Sequence, residues 1–404
     1  MAYARVGMLF VCFLVVLLDG LDTGSIALVA PMLAREWGLT PAMLTPAFIA
    51  TSVGAVAGYI SCGPLIRRFG QRTIGIASVV LFGAGTLLTT AAYDVSSLSI
   101  LRFVTAIGFG GALPIAVTVS SNVMPEKFRS TAAVLVATGL SAGGVVGGLI
   151  SGPLMLKYGW PSIFIVGGVL PLLLLPLFSW VLSASDRVLT KAGVDAGGPS
   201  HSIAALFADG FGLHTGLLWL FAFLIFMVTY ALSSWIPTLL VDFGFSPTQA
   251  PLAAAAFGAG GLAGNMLVLL IVGRFGIKPT LMITSLCAIA SVIAVSCATM
   301  PSGLLLPLIG VIGAGLISGC VGQSALAVSL YPAGLRTIGV GWAAALGRIG
   351  SIVGPAVGGV LLAFNWSARD IILTVIPPTA AAMLALAAMV WVERRQPLVA
   401  ALER

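Results

Sequence analysis

Charged residues are scarce in this sequence: Asp, Glu, Lys and Arg together account for 8% of the 404 residues, whereas hydrophobic residues account for 59%. The mean hydropathy is accordingly high, at +1.14. A soluble domain carries charges on about 25% of its residues, so the composition excludes a soluble protein. The excess of basic over acidic residues, 19 against 12, is better explained by membrane topology than by nucleic-acid binding. We expect the lipid bilayer, and no nucleic acid, as a partner.

Cysteine and histidine are also few, with five and two residues respectively. The cysteines lie in apolar stretches without paired spacing, which argues against a disulfide framework and against a metal site. His201 and His214 lie in a central polar segment and at the start of the helix that follows it, where we expect surface roles. An enzyme that uses a metal or an activated serine would need a histidine inside an apolar stretch. We therefore expect neither an enzyme nor a metal.

Long apolar stretches make up most of the chain. A membrane-spanning helix needs about 20 apolar residues, and the sequence divides into roughly twelve stretches of that length joined by short polar segments. A helix satisfies all of its own backbone hydrogen bonds, which lipid cannot do. The sequence therefore predicts an all-α polytopic membrane protein with twelve transmembrane helices.

Basic residues are distributed unevenly between the two predicted sides of the membrane. With the N-terminus inside, fourteen lie on the inner side and three on the outer side, which places both termini in the cytoplasm by the positive-inside rule. The inner residues are Arg5, Arg67, Arg68, Arg72, Lys127, Arg129, Arg187, Lys191, Arg274, Lys278, Arg336, Arg394, Arg395 and Arg404, and the outer ones are Arg35, Lys157 and Arg369.

The chain divides into two similar halves around a polar segment. Residues 184–213 form a predicted cytoplasmic linker between two bundles of six helices, at 1–183 and 214–404. The basic turn Arg67–Arg72 is echoed by Gly273–Lys278, 206 positions later. Glycine-rich helices 5 and 11 also resemble each other, at an offset of either 202 or 207. Six plus six helices related by a parallel repeat are typical of a transporter whose substrate lies between the halves near the midplane.

Two acidic residues, Asp19 and Asp22, interrupt the first apolar stretch. A carboxylate at bilayer depth costs about 2.5 to 3.5 kcal/mol on insertion scales, so an acid in this position indicates a functional site. The spacing of three places both side chains on one helix face, and close carboxylates seldom ionise together. The pair is therefore suited to carrying a proton. The alternative is that both acids are solvated near a helix end or paired for structure.

Four motifs mark helices 1, 4, 7 and 11 of the predicted set. In chain order they are Asp19-Gly20-Leu21-Asp22 followed by Val29-Ala30-Pro31, Arg102-Phe103 with Gly108 to Pro114, Tyr230 to Leu240, and Gly341 to Pro355. Together they resemble the major facilitator superfamily and, within it, the aromatic acid/proton symporter family. The resemblance covers essentially the whole chain. It implies the major facilitator fold, with two six-helix bundles related by pseudo-twofold symmetry.

The loop between helices 2 and 3 departs from the pattern of the superfamily, GxxxDRxGRR. The candidate gating residues here are Arg67, Arg68, Gly70 and Arg72, and Arg67 stands where the pattern has Asp, while Gln71 takes an Arg position. The resemblance implies that this Asp helps to lock the inner gate by charge pairing. The departure leaves open whether the gate energetics or the turnover differs in this chain.

Two arginines, Arg102 and Arg348, lie inside predicted helices. Because arginine does not release its proton at physiological pH, Asp19 and Asp22 remain the candidates for proton coupling. Arg102 is either the partner that alternates as these acids are protonated or a structural residue nearer the outer surface. Arg348 presents a planar fork that matches a carboxylate, although it could instead neutralise an aspartate.

A candidate substrate pocket is formed by polar and aromatic residues of the second half. Tyr230 and Trp235 could supply an apolar pocket with a polar handle, and Asn265, Gln323 and Ser324 could form hydrogen bonds with a phenol. An aromatic belt and ordinary helix packing would explain the same five residues.

The resemblance implies a proton-coupled importer, or symporter, of a small aromatic carboxylate such as a hydroxybenzoate, benzoate or hydroxyphenylpropionate, working by alternating access. It also implies a monomer in the inner (plasma) membrane with no cofactor, the proton being the coupling ion. The two acids allow either one or two protons for each substrate. The sequence does not distinguish between the candidate acids, because they share a ring and a carboxylate.

A drug/proton antiporter of the same superfamily is the main alternative. Helix 11 carries Gly341, Gly350, Gly354-Pro355 and Gly358-Gly359, a spacing that matches an antiporter motif normally found in helix 5, whereas helix 5 lacks the final glycine pair. Efflux is therefore less favoured than import. An intramembrane aspartyl protease would need acids from two helices, and a channel would need a ring of charges, so both are disfavoured.

Overall fold

The structure is a computed structural model that describes residues 2–125, 128–192, 206–207, 211–297, 302–331 and 335–402. Within these residues the chain forms thirteen α-helices. They are α1 (Ala2–Glu36), α2 (Thr45–Phe69), α3 (Gln71–Thr89), α4 (Val95–Val123), α5 (Arg129–Tyr158), α6 (Pro161–Ala192), α7 (Gly212–Asp242), α8 (Pro251–Phe275), α9 (Ile277–Cys297), α10 (Ser302–Leu330), α11 (Arg336–Ala363), α12 (Ala368–Leu373) and α13 (Ile376–Leu402). Twelve segments of the described chain are long and apolar enough to cross a membrane, the last of them combining α12 with α13. The predicted all-α fold with twelve spans is confirmed.

The described chain forms two compact units. The first comprises α1 to α6 with the segment Ser234–Ala255, which is the end of α7 and the beginning of α8, and the second comprises the rest of α7 and α8 with α9 to α13. Helix α6 continues to Ala192 and α7 begins at Gly212, so helix extends into both ends of the predicted linker 184–213. The division of the chain at that linker stays a prediction.

Several residues of the sequence-based predictions lie outside the described residues. They are linker positions 193–205 and 208–210, which include His201, and the two basic residues Lys127 and Arg404 that were assigned to the inner side.

Three turns recur in the two halves of the chain at a constant spacing. Among the described residues, those with a left-handed backbone have φ between 55° and 91°, and they form three pairs that are each 206 positions apart. The pairs are Gly38 with Gly244, Gly70 with Gly276, and Gly159 with Asn365. Glycine and, less readily, asparagine adopt this conformation without a large steric penalty. The spacing predicted from the basic turns therefore extends to the turns after α1 and α5.

Helices pair in the same way within each unit. In the first unit α1 packs against α5, α2 against α4, and α3 against α4 and α6. In the second, α9 packs against α10, α12 and α13. Glycines also allow α11 to pack closely against α7, and α8 against α10. A Cβ atom added at Gly58 of α2 would lie 2.9 Å from the Cα atom of Gly110 on α4, and one added at Gly264 of α8 would lie 2.7 Å from the Cα atom of Ala314 on α10. Small residues thus permit close backbone contact in both units.

The sequence offset that relates α5 to α11 follows from two glycines with equivalent contacts. A Cβ atom added at Gly143 would meet the backbone nitrogen of Leu21 at 2.6 Å, and one added at Gly350 would meet that of Met227 at 3.0 Å. Leu21 and Met227 are 206 positions apart, whereas the two glycines are 207 apart. Of the two offsets predicted for these helices, 202 and 207, the structure selects 207.

Gly20→Ala is expected to destabilise the protein, whereas Gly24→Ala, one helical turn further along α1, is not. A Cβ atom added at Gly20 would lie 2.8 Å from the Cα atom of Leu140 on α5, but one added at Gly24 would have no atom within 4 Å. Overpacking of this kind costs about 1 to 3 kcal/mol, while alanine in an open helix position gains up to about 1 kcal/mol over glycine. Thermal unfolding of both variants in detergent measures the difference, and equal stability of the two would contradict this account of the α1 and α5 contact.

Candidate functional site

The first unit holds a fully buried ion pair between α1 and α4. The guanidinium of Arg102 donates from Nη1 to Oδ1 of Asp22 at 3.2 Å and from Nη2 to Oδ2 at 3.3 Å. Its Nη2 also donates to the backbone oxygen of Asp22 at 2.9 Å. Both side chains are 0% exposed. Arg102 was predicted to be either a partner of the helix 1 acids or a structural residue nearer the outer surface. The structure supports the first position, because Arg102 contacts Asp22.

Two further side chains complete this ion pair, and sequence reasoning had missed both. The hydroxyl of Thr86 on α3 lies 2.9 Å from Asp22 Oδ1 and 2.7 Å from the backbone oxygen of Phe82, so it can donate to either. The ring of Phe164 on α6 faces the guanidinium of Arg102, with 5.8 Å from its centroid to Cζ. A buried ion pair is stable only with such additional contacts. A threonine or a phenylalanine in an apolar span is ordinary, so neither residue carries a distinctive sequence signal.

Arg102 retains one unsatisfied donor. Its Nε atom is buried and has no hydrogen-bond partner among the described residues. A buried donor without a partner costs free energy, so the pair is not at its most stable arrangement.

Asp19 has surroundings different from those of Asp22, although the two lie one turn apart on α1. Its side chain is 2% exposed, and Oδ1 accepts a hydrogen bond of 3.1 Å from the hydroxyl of Thr23. Gly20, between the two acids, packs against α5 at Leu140. The burial of both acids argues against the alternative that they are solvated near a helix end.

A series of aromatic rings leads from the loop after α1 to the ion pair. Trp37 and Trp160 meet edge to face with centroids 6.1 Å apart, and Trp160 meets Phe164 in the same way at 5.9 Å. Phe164 in turn faces Arg102. Since Trp160 and Phe164 are 4% and 0% exposed, this aromatic series covers Arg102 on one side with apolar surface.

The second unit holds a cation and a phenol in contact. Nη1 of Arg348 on α11 donates to the hydroxyl of Tyr230 on α7 at 3.2 Å, and both side chains are partly exposed. The Tyr230 ring is stacked on Phe226, with an interplanar angle of 9° and centroids 6.1 Å apart. Gly347 leaves room for the ring of Phe226, which a Cβ atom there would meet at 3.0 Å. The structure thus brings together two of the predicted substrate-binding residues.

Two buried amides of the second unit have oxygen atoms without partners. Gln323 on α10 and Asn265 on α8 are 3% and 8% exposed, and neither Gln323 Oε1 nor Asn265 Oδ1 has a hydrogen-bond partner among the described residues. The Nε2 atom of Gln323 donates to the hydroxyl of Ser324 at 3.1 Å. Buried polar groups normally have partners, so these two acceptors are candidates for binding a ligand.

Trp235 lies in the other compact unit from Tyr230, with which it was predicted to form a pocket. Its side chain is 1% exposed, and its ring packs against Phe48 of α2 with centroids 4.6 Å apart. The indole thus already has a packing partner in the first unit. A place for Trp235 in the substrate pocket stays a prediction.

His214 was expected at the surface, and this expectation is wrong. The side chain is 6% exposed. It lies beside Thr215, whose hydroxyl is 2.6 Å from the backbone oxygen of Leu206 and 2.8 Å from the hydroxyl of Tyr331. Because Leu206 and Tyr331 pack onto Thr215, the side of the first α7 turn that carries His214 is buried, whereas Leu213 on the same turn is exposed.

The predicted gating loop is a tight turn with exposed cations. Gly70, at φ 84°, joins α2 to α3, and the guanidinium of Arg68 lies 5.2 Å from the ring centroid of Phe69. Arg72 Nη2 is 3.5 Å from the hydroxyl of Ser179 on α6. Arg67, which replaces the usual Asp, is exposed.

An ion pair links the equivalent turn of the second unit to α13. Arg274 lies over Phe275, as Arg68 lies over its own phenylalanine, with 5.8 Å to the ring centroid. Lys278, at the position of Arg72, is paired with Glu393 on α13. The two turns therefore have similar backbone conformations. They differ in what the equivalent cations contact: Arg72 lies near Ser179, whereas Lys278 pairs with Glu393.

Comparison with known proteins agrees with this architecture. The family model of the Major Facilitator Superfamily matches residues 12–328. The 4-hydroxybenzoate transporter PcaK of Pseudomonas putida is 34% identical over 399 residues, covering 92% of this chain and 89% of that protein. The 3-(3-hydroxy-phenyl)propionate transporter of Escherichia coli is 34% identical over 364 residues, with 88% and 86% covered.

Solved structures share the fold at low sequence identity. The nucleoside transporter NupG superposes with a TM-score of 0.73 at 13% identity, covering 95% of this chain and 99% of that one. A bacterial homologue of the human lysosomal transporter Spinster, in an inward-facing and unoccupied conformation, gives 0.68 at 18% identity, with 95% and 97% covered. The chain belongs to the major facilitator superfamily and, within it, to the aromatic acid transporters. It is therefore a multi-pass membrane transporter and not an enzyme.

Proposed function

We propose that the protein is a proton-coupled symporter that imports a small aromatic carboxylate, such as a hydroxybenzoate, benzoate or hydroxyphenylpropionate. The observation that carries this proposal is the fully buried Asp22 and Arg102 pair, because an acid at this depth is costly and indicates a functional role. The transporters that resemble the chain are named for 4-hydroxybenzoate and 3-(3-hydroxy-phenyl)propionate.

Proton coupling is assigned to Asp19, Asp22 and Arg102. Protonation of Asp22 removes the negative charge that Arg102 faces, so the hydrogen bonds from Nη1 and Nη2 weaken and the guanidinium can rearrange. Asp19, one turn away, offers a second carboxylate on the same helix face. Binding of a proton is thereby converted into a change of side-chain contacts between α1 and α4, which a switch between two conformations requires.

Substrate binding is assigned to Arg348 and Tyr230. A guanidinium can hold a carboxylate through two parallel hydrogen bonds, and the Tyr230 hydroxyl that accepts from Arg348 retains its own proton to donate to a carboxylate oxygen. The phenol ring adds an apolar surface for an aromatic ring. Asn265, Gln323 and Ser324 supply further polar groups in the same unit.

The energetics allow accumulation of the substrate. A monoanion that moves with one proton carries no net charge, and the proton gradient contributes about 1.4 kcal/mol per pH unit. A second proton would add about 2.3 kcal/mol per 100 mV of membrane potential. Both termini are assigned to the cytoplasm, and the protein to the inner (plasma) membrane, because the positive-inside rule favours that orientation. A monomer suffices for this cycle, and it needs no cofactor.

The test is uptake of radiolabelled benzoate, 4-hydroxybenzoate and 3-(3-hydroxyphenyl)propionate into proteoliposomes with an imposed inward proton gradient. We expect accumulation of at least one acid, and its loss when a protonophore is added. Accumulation that withstands the protonophore would contradict proton coupling. Failure of every acid, together with proton-driven efflux of a dye, would favour the drug/proton antiporter instead.

A further inference from the structure

Gln323 lies where three helices of the second unit meet. Cys320, one turn before it on α10, has its Sγ atom 3.3 Å from the hydroxyl of Thr229 on α7. Gly319 also faces α7, since a Cβ atom there would lie 2.6 Å from the side chain of Ile225. Residues three and four apart share a helix face, so Gln323 lies on the face of α10 that packs against α7.

The phenol of the proposed substrate site lies on α7 next to this contact, and the cation lies on α11. Tyr230 follows Thr229 directly in the chain, and its hydroxyl accepts from Arg348 on α11. Helices α10 and α11 also pack against each other. The face of α10 that carries Gln323 and the helices that carry Tyr230 and Arg348 therefore belong to one three-helix junction.

The side-chain amide of Gln323 uses its nitrogen in a hydrogen bond but not its oxygen. Nε2 donates to Ser324 Oγ at 3.1 Å, while Oε1 is buried without a partner among the described residues. A buried carbonyl oxygen without a donor is destabilising, and such groups are rare in native proteins, where a functional role is one reason for keeping them. A hydrogen-bond donor such as a hydroxyl group on a ligand would satisfy this oxygen.

We propose that Gln323 Oε1 accepts a hydrogen bond from a ring hydroxyl of the substrate, so that the protein selects hydroxylated aromatic acids over unsubstituted ones. This inference rests on the proposed function. A site built to accept a hydrogen bond rejects an analogue without the donor, because the buried acceptor is then left unpaired. Gln323 is thus a specificity-determining residue, and Ser324 is the residue that orients its amide.

The test measures the competition of unlabelled acids against uptake of a labelled one by the full-length protein in proteoliposomes. The probes are 3- and 4-hydroxybenzoate, their methyl ethers and benzoate, because a methoxy group has the size of a substituent but cannot donate. We expect wild-type protein to bind at least one hydroxybenzoate about tenfold to a hundredfold more tightly than its methyl ether and than benzoate.

Gln323→Met removes the acceptor at nearly constant volume and is expected to abolish this preference while benzoate uptake persists. The variant should also unfold at a higher temperature than wild type in the absence of substrate, because the unpaired buried oxygen is gone; a purely structural glutamine would give the opposite shift. Ser318→Ala is the matched control on α10, since among the described residues that hydroxyl contacts only backbone oxygens of its own helix, at 2.5 Å for Ala314 and 3.1 Å for Gly315. Its preference for the hydroxybenzoate should remain.

Two results would overturn the inference while leaving transport intact: equal affinity of wild type for the hydroxybenzoates and their ethers, or an unchanged preference in Gln323→Met. The wild-type comparison does not depend on the folding of any variant. Absence of any aromatic acid uptake by wild type would instead overturn the proposed function together with this inference.

Discussion

Asp22→Asn is expected to abolish accumulation of an aromatic acid under an inward proton gradient. Asparagine keeps an oxygen within reach of Thr86 and Arg102 but cannot bind a proton in this pH range. Without the proton step the labelled acid should equilibrate across the membrane and stop there. Exchange of labelled against unlabelled acid, which needs no net proton movement, should persist at a reduced rate. Uptake with an imposed gradient and counterflow without one measure the two activities separately.

The same substitution leaves Arg102 buried with its charge uncompensated, at a cost of about 3 to 5 kcal/mol. Loss of accumulation must therefore be separated from loss of folding. The double variant Asp22→Asn with Arg102→Leu removes both charges and should recover much of the stability, because replacing a whole buried pair is far less costly than breaking it. We expect it to remain unable to accumulate substrate.

A matched control for removal of the Asp22 charge is Asp94→Asn, just before α4. Asp94 caps that helix by accepting from the backbone nitrogen of Ser97 at 2.7 Å, and hydrogen bonds from the side chain and backbone of Ser97 lower its pKa. Asparagine caps helices as well as aspartate does, so this variant should accumulate substrate normally. Undiminished gradient-driven accumulation by Asp22→Asn would exclude Asp22 as the proton carrier.

The repeat explains which parts of the fold the sequence could predict. The conformation of a turn depends on its local sequence. The repeat of the basic turn after 206 positions could therefore be recognised from the sequence, and the structure has the same turn at both places. The offset between α5 and α11 stayed ambiguous, because each of the two offsets, which differ by five residues, aligns three glycines of α5 with glycines of α11. Only the contacts of Gly143 and Gly350 with equivalent backbone atoms decide for 207.

The charged site is not part of the repeat. Asp22 and Thr86 correspond to Val228 and Val292 at an offset of 206, and both valines are buried core residues of the second unit. Helix packing is therefore shared between the units, whereas the ion pair belongs to the first alone. The sequence indicated Asp22 and Arg102 because a charge in an apolar span is conspicuous.

Partners of the charges could not be predicted in the same way. Arg102 had two possible roles until packing of α4 on α1 placed it on Asp22. Trp235 was predicted to form a pocket with Tyr230, which stays a prediction; the five-residue spacing turns the two side chains to different faces of α7, and the indole packs on Phe48. Which side chains meet depends on the angle and register of neighbouring helices, and these are tertiary properties.

Arg348→Lys is expected to weaken binding of the aromatic acid about tenfold to a hundredfold, seen as a higher KM for uptake. Lysine keeps the positive charge but replaces a planar fork by a point charge, so it cannot form two parallel hydrogen bonds to a carboxylate. It also changes the 3.2 Å contact with Tyr230. The maximal rate should fall less than the affinity, because the charge that balances the substrate is retained.

Two further variants separate these contributions. Tyr230→Phe keeps the ring on Phe226 and removes only the hydroxyl, so we expect a smaller loss of affinity than with Arg348→Lys, by one hydrogen bond. Arg35→Lys makes the same exchange at the exposed end of α1 and should leave KM unchanged. An unchanged KM in Arg348→Lys would show that the carboxylate is held elsewhere, and the neutralisation of an aspartate would then be the remaining role for Arg348.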